Sequence, residues 1–71
     1  MKFDFLKLKY LIKTKYEKQE ELAKELNITL TSLSNKLNNR TPFSYDEIYK
    51  LISLLGISDN EIKEVFFKPE C

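Results

Sequence analysis

Two helix-start signals of the same kind follow one another in the second half of this 71-residue chain. Ser44 and Glu47 have the spacing of a capping box, in which each side chain accepts a hydrogen bond from the other residue's backbone amide. Ser58 and Glu61 repeat that spacing just after Gly56, which suits the left-handed backbone that ends a helix. The pattern predicts two short helices joined by a tight connection.

Apolar residues recur at helical spacing behind both signals and also near the start of the chain. Phe43 with Ile48 and Ile57 with Ile62 have the spacing of hydrophobic staples. The predicted inward positions are Phe5, Leu8 and Ile12 in the first helix, Ile48, Leu51, Ile52 and Leu55 in the fourth, and Ile62, Val65 and Phe66 in the fifth. We expect Asp4 to cap the first helix, an end near Lys15 or Tyr16, and a stop for the fifth helix at Pro69.

Between these parts, residues 19–37 predict two short helices and a turn. Leu22 and Leu26 lie four residues apart on one face of the first, and Leu30, Leu33 and Leu37 give the second its buried stripe. In the turn, Asn27 tolerates left-handed backbone, Ile28 is an apolar anchor, and Thr29 can cap the next helix. The whole chain, 1–71, is therefore predicted to be one all-α domain of five helices. The segment 66–68 is its best candidate for extended structure.

The helix predicted at 30–37 has a polar outward face. At about 100° per residue, Thr31, Ser32, Asn35 and Asn38 fall opposite the buried stripe, with Lys36 on the flank and Arg40 beyond the end. No acidic residue lies between Ile28 and Ser44. Hydroxyls, amides and basic groups on a short helix after a tight turn are typical of major-groove readers. The alternative is an ordinary surface helix.

Several residues of this segment resemble the helix-turn-helix signature of Cro and lambda-type phage repressors. They are Gln19, Ala23, the turn Leu26-Asn27-Ile28, Leu33 and Leu37. Two positions depart from that signature: Asn27 stands where Gly is usual, and Lys18 stands where a Ser or Thr cap is common. The second departure leaves the start of the first motif helix poorly defined. More widely, the chain is similar to short phage proteins that are Cro-like or modulate repression.

The first functional hypothesis is a sequence-specific DNA-binding regulator with the helix-turn-helix motif at about 19–38. Asn35 would pair with adenine, while Thr31 and Ser32 would meet base edges. The phosphate contacts would be Lys36, Asn38, Arg40, Ser44 and, by resemblance to the repressor family, Gln19. Because one small domain buries only ~600–1,000 Å² on DNA, we expect a homodimer on a pseudo-palindromic operator with half-sites ~34 Å apart. The resemblance implies a lysis-lysogeny switch in the bacterial host cytoplasm.

The second hypothesis keeps the fold but makes the partner a phage repressor protein, as in a repression modulator or antirepressor. Its motivation is the net charge of only +1. Leu6, Tyr10 and Phe67 would then belong to the protein contact. For Leu6 and Tyr10 the alternative is incidental surface exposure, and for Phe67 it is covering the edge of the core. The lysine-rich start, residues 1–18, either contacts DNA backbone or is a solvated face.

Catalytic groups are scarce in the sequence. There is no His, the one Cys is Cys71 at the end, and a single Gly cannot form a phosphate-binding loop. We therefore expect no enzyme activity, no cofactor and no metal site. A single cysteine cannot form an internal disulfide, which fits a reducing cytoplasm, and no apolar run approaches the ~20 residues of a membrane span.

Overall fold

The computed structural model describes residues 2–70 and builds them from five α-helices. Their bounds are α1 Leu6–Lys15, α2 Gln19–Glu25, α3 Leu30–Leu37, α4 Tyr45–Leu55 and α5 Ile62–Phe66. No strand of two or more residues occurs within 2–70, where the one extended pairing is an isolated bridge between Phe3 and Pro69. The fold is therefore all-α, as predicted. Cys71 lies outside the described residues.

The predicted boundaries of the central helices are confirmed by their hydrogen bonds. The Thr29 hydroxyl accepts the Ser32 amide at 3.0 Å and starts α3. At α4 both halves of the capping box form, because the Ser44 amide donates to Glu47 at 2.8 Å and the Glu47 amide donates to Ser44 at 3.2 Å. Gly56 ends α4 with a φ of 64°. The capping box thus sets the start of α4, and the left-handed backbone of Gly56 sets its end.

The second predicted capping box, Ser58 with Glu61, also forms, but the element that it starts is a 3-10 turn and not an α-helix. The Ser58 hydroxyl donates to the Glu61 carboxylate at 2.7 Å, while the Ser58 amide reaches it at the long distance of 3.4 Å. The segment Asp59–Glu61 forms a 3-10 turn, and the α-helix begins only at Ile62. Because its first turn is a 3-10 turn, the α-helical part of this segment is shorter than expected.

At the start of the chain, α1 begins and ends close to the predicted positions. The Asp4 carboxylate accepts the Leu6 amide at 2.9 Å, and the last helical residue is Lys15. Inside the domain the helices enclose a single apolar core. Its buried residues are Phe5, Leu8, Ile12, Leu22, Ala23, Leu26, Leu33, Leu37, Leu51, Ile57, Val65 and Phe66. The other predicted inward residues, Ile48, Ile52, Leu55 and Ile62, are partly buried around it.

The two ends of the described chain lie side by side, which the sequence did not predict. The Asp4 amide donates to the Lys68 carbonyl at 2.7 Å, and the Glu70 amide donates to the Lys2 carbonyl at 3.1 Å. The side chain of Asn39 bonds both backbone groups of Phe3, accepting its N–H at 3.0 Å and donating to its carbonyl at 2.8 Å. The loop after α3 is thereby tied to the N-terminal segment.

Candidate nucleic-acid interface

The turn between α2 and α3 presents α3 at the surface of the domain. Asn27 has the predicted left-handed backbone, with a φ of 60°, and the Ile28 amide donates to the Ala23 carbonyl at 3.0 Å. Leu22 from α2 and Leu33 from α3 are fully buried in the shared core. Since Leu33 and Leu37 are buried, the polar residues on the opposite side of α3 face outward. Leu30, which was predicted to belong to the buried stripe, is instead 44% exposed.

The three predicted base-reading residues lie together on α3. Thr31 is exposed, and Ser32 and Asn35 are half-buried. Arg40 is exposed just beyond the helix and is joined to Asn35 twice: its amide donates to the Asn35 carbonyl at 2.9 Å, and its guanidinium donates to the Asn35 side-chain oxygen at 3.3 Å. An amide oxygen has two lone pairs, so Asn35 keeps both an acceptor and its NH₂ donors for another partner.

Lys36 is the clear departure from the predicted phosphate contacts. Its ammonium lies 2.5 and 2.6 Å from the two carboxylate oxygens of Glu47, and the Lys36 side chain is 13% exposed. Burial raises the pKa of Glu47, but the bonds from Lys36 and the Ser44 amide outweigh burial and hold that pKa below its usual value. The Lys36 cation is neutralised inside the domain, and its predicted phosphate contact is corrected accordingly.

Two other predicted phosphate contacts are exposed but also serve the local structure. Asn38 donates its side-chain amide to the Ser34 carbonyl at 2.9 Å and so completes the last turn of α3. The Ser44 hydroxyl accepts the Glu47 amide, which leaves its own proton available to an anion.

Gln19 is exposed as the first residue of α2, but its surroundings are acidic. Glu20 and Glu21 lie in the same first turn, and the Glu21 carboxylate accepts the Lys18 amide at 3.0 Å. That bond is the Glu half of a capping box and gives α2 a defined start after Lys18. Carboxylates this close repel a phosphate, so any contact from Gln19 depends on its neutral side chain.

The match to a known protein family covers almost the whole chain. A family model described as "Protein of unknown function (DUF739)" matches residues 1–69. The chain belongs to the DUF739 family. A comparison with curated proteins found no match.

The predicted protein-contact residues separate into two groups. Leu6 and Tyr10 are 73% and 64% exposed and lie one turn apart on α1. Phe67 is 41% exposed and packs edge-on against Phe3, with ring centroids 5.7 Å apart. Phe67 therefore covers the edge of the core, whereas Leu6 and Tyr10 stand in solvent.

Some surface features were missed in the sequence. Tyr45 and Tyr49, at 89% and 75% exposed, both lie on the outer side of α4. Their four-residue spacing, opposite the buried Leu51, was the available signal.

Within residues 2–70 there is no helix long and apolar enough to cross a bilayer, and the same residues hold no group of three or more His, Cys, Asp or Glu side chains suited to a metal ion.

Proposed function

We propose that this DUF739 family member is a sequence-specific DNA-binding regulator of transcription that inserts α3 into the major groove. The observation that carries the proposal is the outward face of α3, where Thr31, Ser32 and Asn35 lie together and where the sequence from Ile28 to Ser44 contains no acidic residue. Glu47 is the acid that the described bonds bring to α3, and Lys36 neutralises it. A polar face without negative charge can approach base edges between two phosphate backbones.

In the proposed complex, the Asn35 amide pairs with adenine, whose N6 donates to the side-chain oxygen and whose N7 accepts from the NH₂ group. Thr31 and Ser32 bond neighbouring base edges or contact a thymine methyl. The Arg40 bond to Asn35 supports this geometry, because it holds the amide oxygen in a defined orientation before DNA arrives. Such preorganisation lowers the entropy cost of binding.

Phosphate contacts in this proposal come from Arg40, Asn38, Ser44 and Gln19, without Lys36. Arg40 is the cation among them, so we expect it to contribute the largest share of the salt dependence. Two copies would bind a pseudo-palindromic operator, because the surface of one small domain gives modest affinity. The resemblance to Cro and lambda-type repressors favours a role in a phage lysis-lysogeny switch, acting in the cytoplasm of a bacterial host.

The test is a titration of a fluorescent duplex from upstream of the protein's own gene, against a scrambled duplex of equal length, at several salt concentrations. We expect a preference of at least about 100-fold for the upstream duplex at physiological salt. Arg40→Ala should reduce the salt slope by about 2, because one phosphate contact is lost from each of the two bound copies, while Lys63→Ala, which removes an exposed cation on α5, should leave it unchanged. Equal weak binding to both duplexes would refute the proposal.

A second candidate is favoured by the exposure of Leu6 and Tyr10 on α1. In that case the domain acts as a repression modulator or antirepressor by binding a phage repressor protein through this apolar pair. The two candidates differ in a native gel: a DNA shift by the protein alone supports the first. A change in DNA mobility that requires the neighbouring repressor, and that Tyr10→Lys abolishes, supports the second.

A further inference from the structure

Tyr45 and Tyr49 are the two most exposed large apolar side chains of residues 2–70. They lie four residues apart in α4, so their rings are neighbours on one face of the helix. None of the aromatic contacts within 2–70 involves either ring. Large apolar side chains that are exposed next to one another are a candidate interaction surface.

The tyrosine pair is bordered by residues that suit a packed contact. Ser53 continues the row one turn beyond Tyr49, and its small side chain leaves space beside the ring. On the core side, Ile48 and Ile52 are half-buried and offer further apolar surface. We call the row of Tyr45, Tyr49 and Ser53 the α4 face.

Two opposite charges flank the α4 face on its other side. Asp46 and Lys50 are exposed and lie one turn apart, and neither belongs to an ion pair in the described chain. If a second α4 helix packs antiparallel about a two-fold axis, each flank meets the same flank of the other copy in reverse order. Asp46 of each copy then faces Lys50 of the other.

We propose that the α4 face is the dimer interface of this protein and that its occupant is a second copy of the chain. Each Tyr49 ring contacts its counterpart near the two-fold axis, and each Tyr45 covers Ser53 of the other copy. Pairing Asp46 with Lys50 places the two-fold axis beside Ile48, and pairing Tyr49 with its counterpart places it beside Tyr49. The two positions differ by one residue, which is about 1.5 Å along the helix. One antiparallel arrangement therefore satisfies both the apolar and the charged contacts.

The small size of the α4 face predicts a weak dimer in the absence of DNA. One side of an 11-residue helix buries less than the ~1,200–2,000 Å² of a stable interface, so we expect a dissociation constant on the order of 100 μM. The biological use of the contact rests on the proposed function: two half-sites bring the copies to an effective concentration of about 1 mM, which favours dimerisation. The contact itself requires no DNA.

The first test is sedimentation equilibrium of the full chain without DNA, in reductant because Cys71 can cross-link two chains. The wild type should show a monomer-dimer equilibrium, and Tyr49→Lys should weaken it at least about 10-fold. Thr14→Lys, which also adds a lysine at an exposed position but on α1, should leave it unaltered. A wild type that stays monomeric at millimolar concentration, or a Tyr49→Lys protein that dimerises normally, overturns the proposal.

The second test uses the charges. Asp46→Lys and Lys50→Asp should each weaken self-association, since like charges then face one another across the axis. An equimolar mixture of the two variants should regain dimers, because each chain presents the charges that the other lacks. A mixture no better than either variant alone overturns the antiparallel arrangement. Circular dichroism checks that each variant is folded. The check matters most for Asp46→Lys, because Asp46 lies in the first turn of α4.

A parallel titration of a single half-site duplex separates this inference from the proposed function. Binding to the half-site duplex by a protein that does not dimerise refutes the α4 interface and leaves DNA recognition intact. Dimerisation without binding to any half-site refutes DNA recognition and leaves the interface intact.

Discussion

The Lys36 ammonium and the Glu47 carboxylate form an ion pair that joins α3 to α4, with N–O distances of 2.5 and 2.6 Å. Only 13% and 12% of the two side chains are exposed. Glu47 also accepts the Ser44 amide at 2.8 Å, so a single carboxylate caps α4 and holds α3. The proposed recognition helix is thereby fixed to the rest of the domain by a largely buried contact.

Replacing Lys36 should destabilise the domain. In Lys36→Met the Glu47 carboxylate stays largely buried without its cation, and we expect a loss of about 1–3 kcal/mol in the free energy of unfolding. Urea denaturation at neutral pH measures this loss, and Lys63→Met, at an exposed position, is the control. A Lys36→Met protein within about 0.5 kcal/mol of that control would contradict a structural role for the pair.

The same ion pair should make stability depend on acid pH. Because folding lowers the pKa of Glu47 below its ordinary value of 4.5, its contribution to stability is present above that value. The contribution is lost as the pH falls through the folded-state pKa. We expect the difference in unfolding free energy between wild type and Lys36→Met to narrow on acidification. A difference that stays constant between neutral pH and about pH 3 would assign the effect to packing instead.

Tyr16 should produce a separate transition in alkali. Its burial and its hydrogen bond to Glu25 raise the pKa of Tyr16 to about 12. A folded state that holds this proton more tightly is stabilised below the unfolded-state pKa of about 10, and the stabilisation is lost as the pH rises from about 10 to 12. Tyr16→Phe should flatten that part of the profile, and Tyr10→Phe should not. Identical profiles for all three proteins would exclude the Tyr16–Glu25 bond as the cause.

Replacing Asn39 should lower the stability of the domain for two reasons that different variants can separate. It makes two hydrogen bonds to Phe3, and its own backbone is left-handed, with a φ of 61°. Asn39→Ala loses the bonds and strains the backbone, so we expect a cost of about 2–3 kcal/mol. Asn39→Gly loses only the bonds and should cost about 1 kcal/mol less. Thermal unfolding measures both, and equal midpoints would argue against backbone strain.

The parts of the fold that the sequence predicted are those set by near neighbours. The Thr29 cap, the left-handed Asn27, the Ser44–Glu47 box and Gly56 each act within a few residues, and their positions define α3 and α4. The bonds between Asn39 and Phe3 span 36 positions, so no local pattern indicates them. They form because the folded core brings the N-terminal segment beside the loop after α3.

The sequence predicted which residues the candidate site contains, but it did not predict what each of those residues does. The grouping of Thr31, Ser32 and Asn35 followed from helical periodicity alone. Lys36 lies about 60° from the buried Leu33 around α3, close enough to the inward stripe for its long side chain to reach Glu47. Its pairing depends on where α4 packs, which is a tertiary relationship. The bond between Arg40 and Asn35 spans only five positions, but it forms where the left-handed Asn39 turns the chain after α3, so helical periodicity did not indicate it.

The most direct test of DNA reading by α3 is selection of bound duplexes from a random library, followed by sequencing, for the wild type and for Asn35→Ala. We expect the wild type to enrich two half-sites about 10 base pairs apart, centre to centre. Asn35→Ala should lose preference at one adenine position in each half-site, at a cost of about 1–3 kcal/mol, while keeping the other positions. No enriched sequence, or an unchanged preference in Asn35→Ala, would contradict the assignment of α3 as the base-reading helix.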